Sequence, residues 1–333
     1  ERFDPHVLTL QYLGRYGEGL DRVATLHEGP RQGPGSLLWP RALTRRIAEI
    51  GPDVVHLHSG VWFKAARASR RAGVPWIVYT EHGRVGPEQW LPRMLDRAAG
   101  RVTDRVVAVS DATAEQLRRG PGVEAHRLRV IRNGIDTERF QPGPSSLREE
   151  LGLDADTVLF GSVGRLEPVK AHATLLRAFR IVVDRLREQA DSGEGPGAHL
   201  VLAGDGSLRT ELEALRSSLD LDDHVTFLGW WDDPEGLLRG LDVFVLSSLS
   251  EGTSISLLEA MSSGCCAVAT RVGGNAHVLG PELSHRLVES EDIASIAEGL
   301  TAAALDPEAR RADGARGRAR VHDSFNVRGM VEA

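Results

Sequence analysis

Residues 243–274 read VFVLSSLSEGTSISLLEAMSSGCCAVATRVGG. The run Val243–Leu246 is short, aliphatic and aromatic, which suits a buried strand. A polar loop holding Glu251 and Gly252 follows it. A helix is expected to start near Ser254, because Ser254 or Thr253 can cap the first turn. A second apolar run, Ala267–Thr270, then predicts the next strand. A strand, a crossover helix and another strand in so few residues predict parallel pairing.

The same alternation runs through the whole chain. In the first half His6–Leu10, Val54–Leu57, Trp76–Tyr79, Arg105–Val109 and Arg129–Ile131 read as strands. Between them Ser36–Ile50, Trp62–Ala72, Glu88–Gly100 and Ala112–Arg119 read as helices. In the second half strands are expected near Thr157–Val163, His199–Ala203 and Val225–Leu228, besides the two already named. Leu175, Leu176, Phe179, Val182, Val183 and Leu186 share one face of the helix after the first of these. Such alternation predicts an α/β protein whose parallel sheets are covered by helices on both sides.

At 333 residues the chain is long enough for two such domains. The sequence Asn133-Gly134 and the run Gln141-Pro142-Gly143-Pro144 break the pattern, so the boundary is placed at 140/141. Residues 191–197 are read as a polar loop within the second domain. In open α/β sheets ligands sit at the carboxyl ends of strands, so the expected site is a cleft between the two domains.

Hydrophobic residues make up 41% and charged residues 26%, which excludes a disordered or fibrous chain. The longest apolar run, Cys265–Ala269, is too short to span a bilayer. No secretion signal is legible, and adjacent Cys265 and Cys266 make no disulfide framework, so a cytoplasmic location is expected. Residues 1–140 carry 22 Lys+Arg against 16 Asp+Glu, although the whole chain is at −7. A basic half suits anionic ligands or peripheral contact with the inner membrane face, and equally suits arginine-rich solvated helices. Only Lys64 and Lys170 are lysines, which singles both out.

Three groups of residues could carry chemistry. Glu251 precedes the helix that opens near Ser254, and Glu259 falls in its second turn. The free amides of that turn favour an anion, while carboxylates favour hydroxyls. Together they suit a ligand holding both sugar and phosphate, although solvent-facing carboxylates would show the same spacing. The segment GSVGRLEPVK (161–170) places Arg165 and Lys170 after a strand, where two cations could neutralise a diphosphate. His56 and His58 alternate on one strand and His82 follows the next. No further ligand lies at metal spacing, so no metal is expected, and His82 is the better ligand contact. Gly204-Asp205-Gly206 is read as a turn entering a helix from Ser207, with no dinucleotide fingerprint. Trp230-Trp231 could stack on a base or simply pack.

Taken in order, DVVHLHSG, VYTEHG, VVAVSD, VIRNGID, GSVGRLEPVK, LVLAGDGSLR, HVTFLGWWDD, EGTSISLLEAMSSG and ATRVGG resemble the retaining glycosyltransferases of family 4. The resemblance implies the GT-B architecture of two doubly wound Rossmann-like domains facing across a cleft. It implies sugar transfer from a nucleotide-diphosphate donor to a glycan, lipid-linked or small-molecule acceptor, with no cofactor, no metal and no nucleic-acid partner. Carried over residue by residue, Arg165, Lys170 and the amides of Thr253, Ser254 and Ile255 would hold the diphosphate. Glu251 would hold the donor sugar, Glu259 the ribose, and His82 would stand on the acceptor side. Gly164 and His58 would line the cleft.

Against that pattern the chain opens at the second strand, so the opening strand and glycine-rich loop are expected to be missing and the last helices cut short. Ala171 replaces a usual Gly, and Asn275-Ala276-His277 stands where a Glu commonly follows the Gly-Gly turn. A nucleotide-sugar-binding module without turnover, or an epimerase, would share these motifs.

Overall fold

In the strand Val243–Leu246, alternate residues enter different cores. Val243 and Val245 join one buried cluster, Phe244 and Leu246 another. Both faces of the sheet are therefore covered, as the uniformly apolar strand requires. The computed structural model describes residues 3–10, 17, 19–30, 37, 39–58, 60–83, 90–190 and 196–333. The α-carbon contacts divide the chain into two units. The first is Glu1–His82, Pro87–Ala108 and Ala114–Val130; the second is Gly83–Gly86, Val109–Thr113 and Ile131–Ala333. Residue 140, the expected boundary, lies inside the second unit.

The first unit holds strands β1 (His6–Thr9), β2 (Thr25–Glu28), β3 (Val54–His58), β4 (Trp76–Glu81), β5 (Arg105–Ala108) and β6 (Leu128–Val130). β1 and β2 form a parallel pair, and β3-β4-β5-β6 a parallel sheet in that order. Helices α1 (Arg41–Ile50), α2 (Trp62–Arg71), α3 (Trp90–Val102) and α4 (Asp111–Arg119) alternate with the later strands. The core gathers Leu43, Ile47, Trp62, Phe63, Ile77, Tyr79 and Val106, with the Trp62 indole stacked on the Tyr79 ring at 4.1 Å. The strand β2 is a correction to the reading above. Its sequence, TLHE, has one apolar residue in four and carries no apolar run. The expected first residues of two helices, Ser36 and Glu88, and residues 191–195 of the expected loop lie outside the described residues.

In the second unit a short helix, α5 (Leu147–Glu150), precedes β7 (Val158–Val163), α6 (His172–Ala190) and β8 (Ala198–Ala203). Then come α7 (Arg209–Ser218), β9 (Val225–Gly229), α8 (Pro234–Gly240), β10 (Val243–Leu246), α9 (Ile255–Ser262) and β11 (Cys266–Thr270). The unit closes with α10 (Asn275–Leu279), β12 (Leu287–Val288), α11 (Ile293–Leu305), α12 (Pro307–Ser324) and α13 (Val327–Glu332). The strands pair in parallel in the order β12-β11-β10-β7-β8-β9. The expected helix start at Ser207 falls instead at Arg209, and the two-residue β12 is too short to be read from sequence.

Strand order reverses at β7, between β8 and β10. The crevice of this sheet therefore opens at the carboxyl ends of β7 and β10. Those ends lead into the segments that contain Lys170 and Glu251. Among the described residues no helix is long and apolar enough to cross a membrane.

Candidate functional site

The loop leaving β7 is fixed from below. Leu166 is fully buried, and its amide donates to the Asp205 carbonyl at 3.0 Å. Pro168–Lys170 form one 3-10 turn. Ala171 then takes a left-handed conformation with φ of 50° before α6 begins. A glycine holds this loop against its neighbour. At Gly204, with φ of 135°, an added Cβ would stand 2.0 Å from the Gly164 carbonyl oxygen. The Glu167 carboxylate accepts from the Ser207 hydroxyl at 3.0 Å, tying the same loop to the one after β8.

Lys170 reaches back across this turn. Its Nζ lies 2.6 Å from Glu251 Oε1, with the two side chains only 20% and 12% exposed. The same carboxylate oxygen accepts from Ser248 Oγ at 2.7 Å. Ser247 Oγ donates to the Lys170 carbonyl at 2.8 Å, and the Leu249 amide to the Val169 carbonyl at 2.8 Å. The loops after β7 and β10 are thus joined by backbone, hydroxyl and ion pair. Gly164 borders the pair, since a Cβ there would sit 3.4 Å from Lys170 Cε. At Gly273, with φ of 51°, a Cβ would lie 1.7 Å from the Glu251 carbonyl oxygen. No side chain fits where these two segments cross.

Ser254 is the cap of α9, its Oγ accepting from the Leu257 amide at 3.4 Å. Thr253 is buried and donates its hydroxyl to the Val109 carbonyl at 2.6 Å. Asn133 Nδ2 donates to the Thr253 carbonyl at 3.0 Å. Side chain and carbonyl of Thr253 are thereby committed. The amides that open a helix have no acceptor within it and carry partial positive charge. Ile255, the first residue of α9, is exposed.

Glu259 is half-buried on α9. Burial raises its carboxyl pKa to about 7; the Arg139 cation opposes the rise and the Glu235 charge adds to it. Arg139 is itself ion-paired with Glu235. Arg165 is exposed and makes no ion pair or side-chain hydrogen bond among the described residues. It is not drawn into the Lys170–Glu251 cluster.

His58 and His82 belong to the first unit. His58 ends β3 and His82 follows β4; their rings stack at 5.2 Å with His58 Nδ1 2.9 Å from His82 Nε2. Burial lowers the pKa of both. No three His, Cys, Asp or Glu side chains among the described residues are arranged to hold a metal ion.

Sequence reasoning missed Ser248, Glu167 and Arg139. Ser248 stands three residues before Glu251, a spacing that a loop can close with a hydrogen bond. Arg139 has no sequence signal, because its partner Glu235 lies on a distant segment.

A family model described as glycosyl transferases group 1 matches residues 145–320. One described as glycosyltransferase family 4 matches residues 1–139. The UDP-Gal:alpha-D-GlcNAc-diphosphoundecaprenol alpha-1,3-galactosyltransferase of Escherichia coli is 30% identical over 259 residues, covering 74% of this chain and 65% of the relative. The D-inositol 3-phosphate glycosyltransferase of Saccharomonospora viridis is 34% identical over 223 residues, covering 62% and 49%. The chain therefore spans less than two thirds of either relative. Among solved structures, Anabaena Alr3699/HepE in complex with UDP-glucose aligns with a TM-score of 0.83 at 22% identity, over 98% of this chain and 89% of that one. Sucrose-phosphate synthase from Thermosynechococcus elongatus aligns with a TM-score of 0.75 at 23% identity, over 93% and 80%. At those identities the likeness is one of fold, two Rossmann-like domains of the GT-B kind.

Proposed function

The chain belongs to the group 1 glycosyl transferases, and from that premise we propose that it moves a sugar from a nucleotide-diphosphate donor to an acceptor hydroxyl, with retention of anomeric configuration and without a metal ion. The observation that carries this reading is the Lys170–Glu251 pair, held at the crevice of the second sheet just before the capped start of α9. A cation and a set of free helix amides suit a diphosphate, and a carboxylate beside them suits the hydroxyls of the sugar attached to it.

In this reading negative charge develops on the departing diphosphate as the glycosidic bond breaks. Lys170 and the amides of Thr253, Ser254 and Ile255 receive that charge from fixed positions, which lowers the barrier without reorganisation, and the exposed Arg165 adds a second cation once the donor is bound. Glu251 is held in place by Lys170 and Ser248 and orients the sugar. Glu259 binds the ribose, and His82 serves the acceptor side. The acceptor attacks from the face that the phosphate leaves, and the phosphate takes up the acceptor proton.

Uridine donors are the first to try, because HepE was solved with UDP-glucose and the Escherichia coli relative is named for UDP-Gal. The basic first 140 residues support a lipid-linked acceptor and contact with an anionic membrane face. The test is a thermal-shift screen of nucleotide diphosphates and their sugars, followed by anomer analysis of any product. A raised melting temperature with UDP or another nucleotide diphosphate, and a product of retained configuration, are expected. Binding by none of them, or an inverted product, would end this reading.

A further inference from the structure

Three histidines of the first unit, His56, His58 and His82, form a chain of rings toward the carboxyl ends of β3 and β4. His56 and His58 alternate on β3 and so share a side of the sheet, with ring centroids 4.5 Å apart. His58 in turn stacks on His82 at 5.2 Å and 20°. Two imidazole nitrogens 2.9 Å apart, His58 Nδ1 and His82 Nε2, are hydrogen-bonded and have room for one proton between them. His56 is anchored separately, its Nε2 2.7 Å from the Thr80 hydroxyl.

We propose that His58 is a positioning residue for His82: its Nδ1 shares one proton with His82 Nε2 and thereby sets the tautomer and orientation of the His82 ring. The role given to His82 rests on the transferase reading above; the pairing of the two rings does not.

The charged groups around the pair decide which ring holds a gained proton. Among the described residues, His56 on β3 and Glu81 at the end of β4 are titratable groups that act on the pair, and Glu81 accepts a hydrogen bond from the Tyr79 hydroxyl at 2.7 Å. Burial, then the charges of His56 and His82, push the His58 pKa down to about 4. Burial also lowers that of His82, but the Glu81 carboxylate works in the opposite direction. The Glu81 carboxylate thus favours a gained proton on His82 over one on His58. When His82 carries the charge, the Nε2–H bond stays intact and that N–H donates to the lone pair on His58 Nδ1. No second proton is accommodated, because two N–H groups would then face each other. The state of His82 is thus selected by a neighbour that need not touch substrate.

The experiment follows the ring nitrogens of the full chain by NMR from pH 8.5 to 4.5, in the native protein and in His58→Asn and His58→Phe. Asparagine can place an oxygen near the position of Nδ1, whereas phenylalanine has no acceptor. Loss of the acceptor for the charged His82 N–H is expected to lower the His82 midpoint in His58→Phe by at least about half a unit. His58→Asn restores it. An unchanged or raised midpoint in His58→Phe overturns the pairing, and this arm needs no enzyme activity. In the second arm, turnover with UDP-sugar donors is compared across pH. His58→Phe is expected to lower kcat about tenfold or more, with the donor KM unchanged and His58→Asn partly recovering. A paired His82 in NMR together with an unaltered kcat in His58→Phe overturns the positioning role. Turnover by no variant, the native protein included, with the midpoint shift present, would instead count against the transferase reading alone.

Discussion

Lys170 and Glu251 stand 81 residues apart in sequence and 2.6 Å apart in space, joined by an ion pair at the reversal point of the second sheet. Because the two side chains are mostly shielded, removing one strands the other in a poorly solvated place. Lys170→Ala is expected to lower stability by about 1–3 kcal/mol, read from the urea midpoint. It is also expected to weaken UDP binding at least about tenfold in calorimetric titration, through loss of a charge-assisted contact. Lys170→Ala that binds UDP as the native protein does would remove this residue from the diphosphate site.

Ala171 carries a left-handed backbone that a Cβ opposes. The next residue, His172, is buried and begins α6, so the turn cannot relax freely. Ala171→Gly is expected to raise stability by about 0.5–1 kcal/mol, the relief of strain exceeding the added freedom of the unfolded chain. A pair of denaturation curves would decide it.

Asp313 on α12 is almost fully enclosed, and three cationic or ionisable partners reach it: Arg286 Nε, His285 Nε2 and Arg316 Nη1, each at 2.8 Å. Burial would raise its carboxyl pKa, but the hydrogen bonds from His285 and Arg286 and the nearby guanidinium charges bring it below the ordinary value. A depressed pKa contributes stability above the unfolded-state value, about pH 3.9, and loses it as pH falls through the folded-state value. Asp313→Asn is expected to melt several degrees lower at pH 7. The gap should narrow toward pH 3, and a constant gap across that range would contradict the charge-based account.

Much of the fold was legible because its strands are short and almost wholly apolar. Val243–Leu246 sits where its sequence puts it, and Val158–Val163 differs by one residue. The strand Thr25–Glu28 escaped because pairing with His6–Thr9, rather than side-chain character, makes it a strand. The cap at Ser254 was readable from residue type. The ion pair of Lys170 with Glu251 was not, since only the strand order brings the two loops together. Likewise nothing in the letters RF at 139–140 marks Arg139 as the cation that acts on Glu259.

Glu259 offers the sharpest dependence on pH. Its carboxyl pKa, raised by burial to about 7, lies above the unfolded value of about 4.3. The folded state therefore holds a proton that the unfolded state has already released. Between those two values stability falls as pH rises, and above pH 7 the full penalty is present. Glu259→Gln removes the ionisation, keeps the shape, and is expected to stabilise the chain by about 1–2 kcal/mol at pH 8, allowing for solvent screening. At pH 4 the two proteins should unfold together. The same substitution is expected to weaken UDP binding at pH 8, where an ionised carboxylate accepts ribose hydroxyl protons more strongly than an amide does. Opposite signs for stability and affinity in one variant would mark Glu259 as held in place for a ligand. A substitution neutral in both would place it among ordinary helix carboxylates.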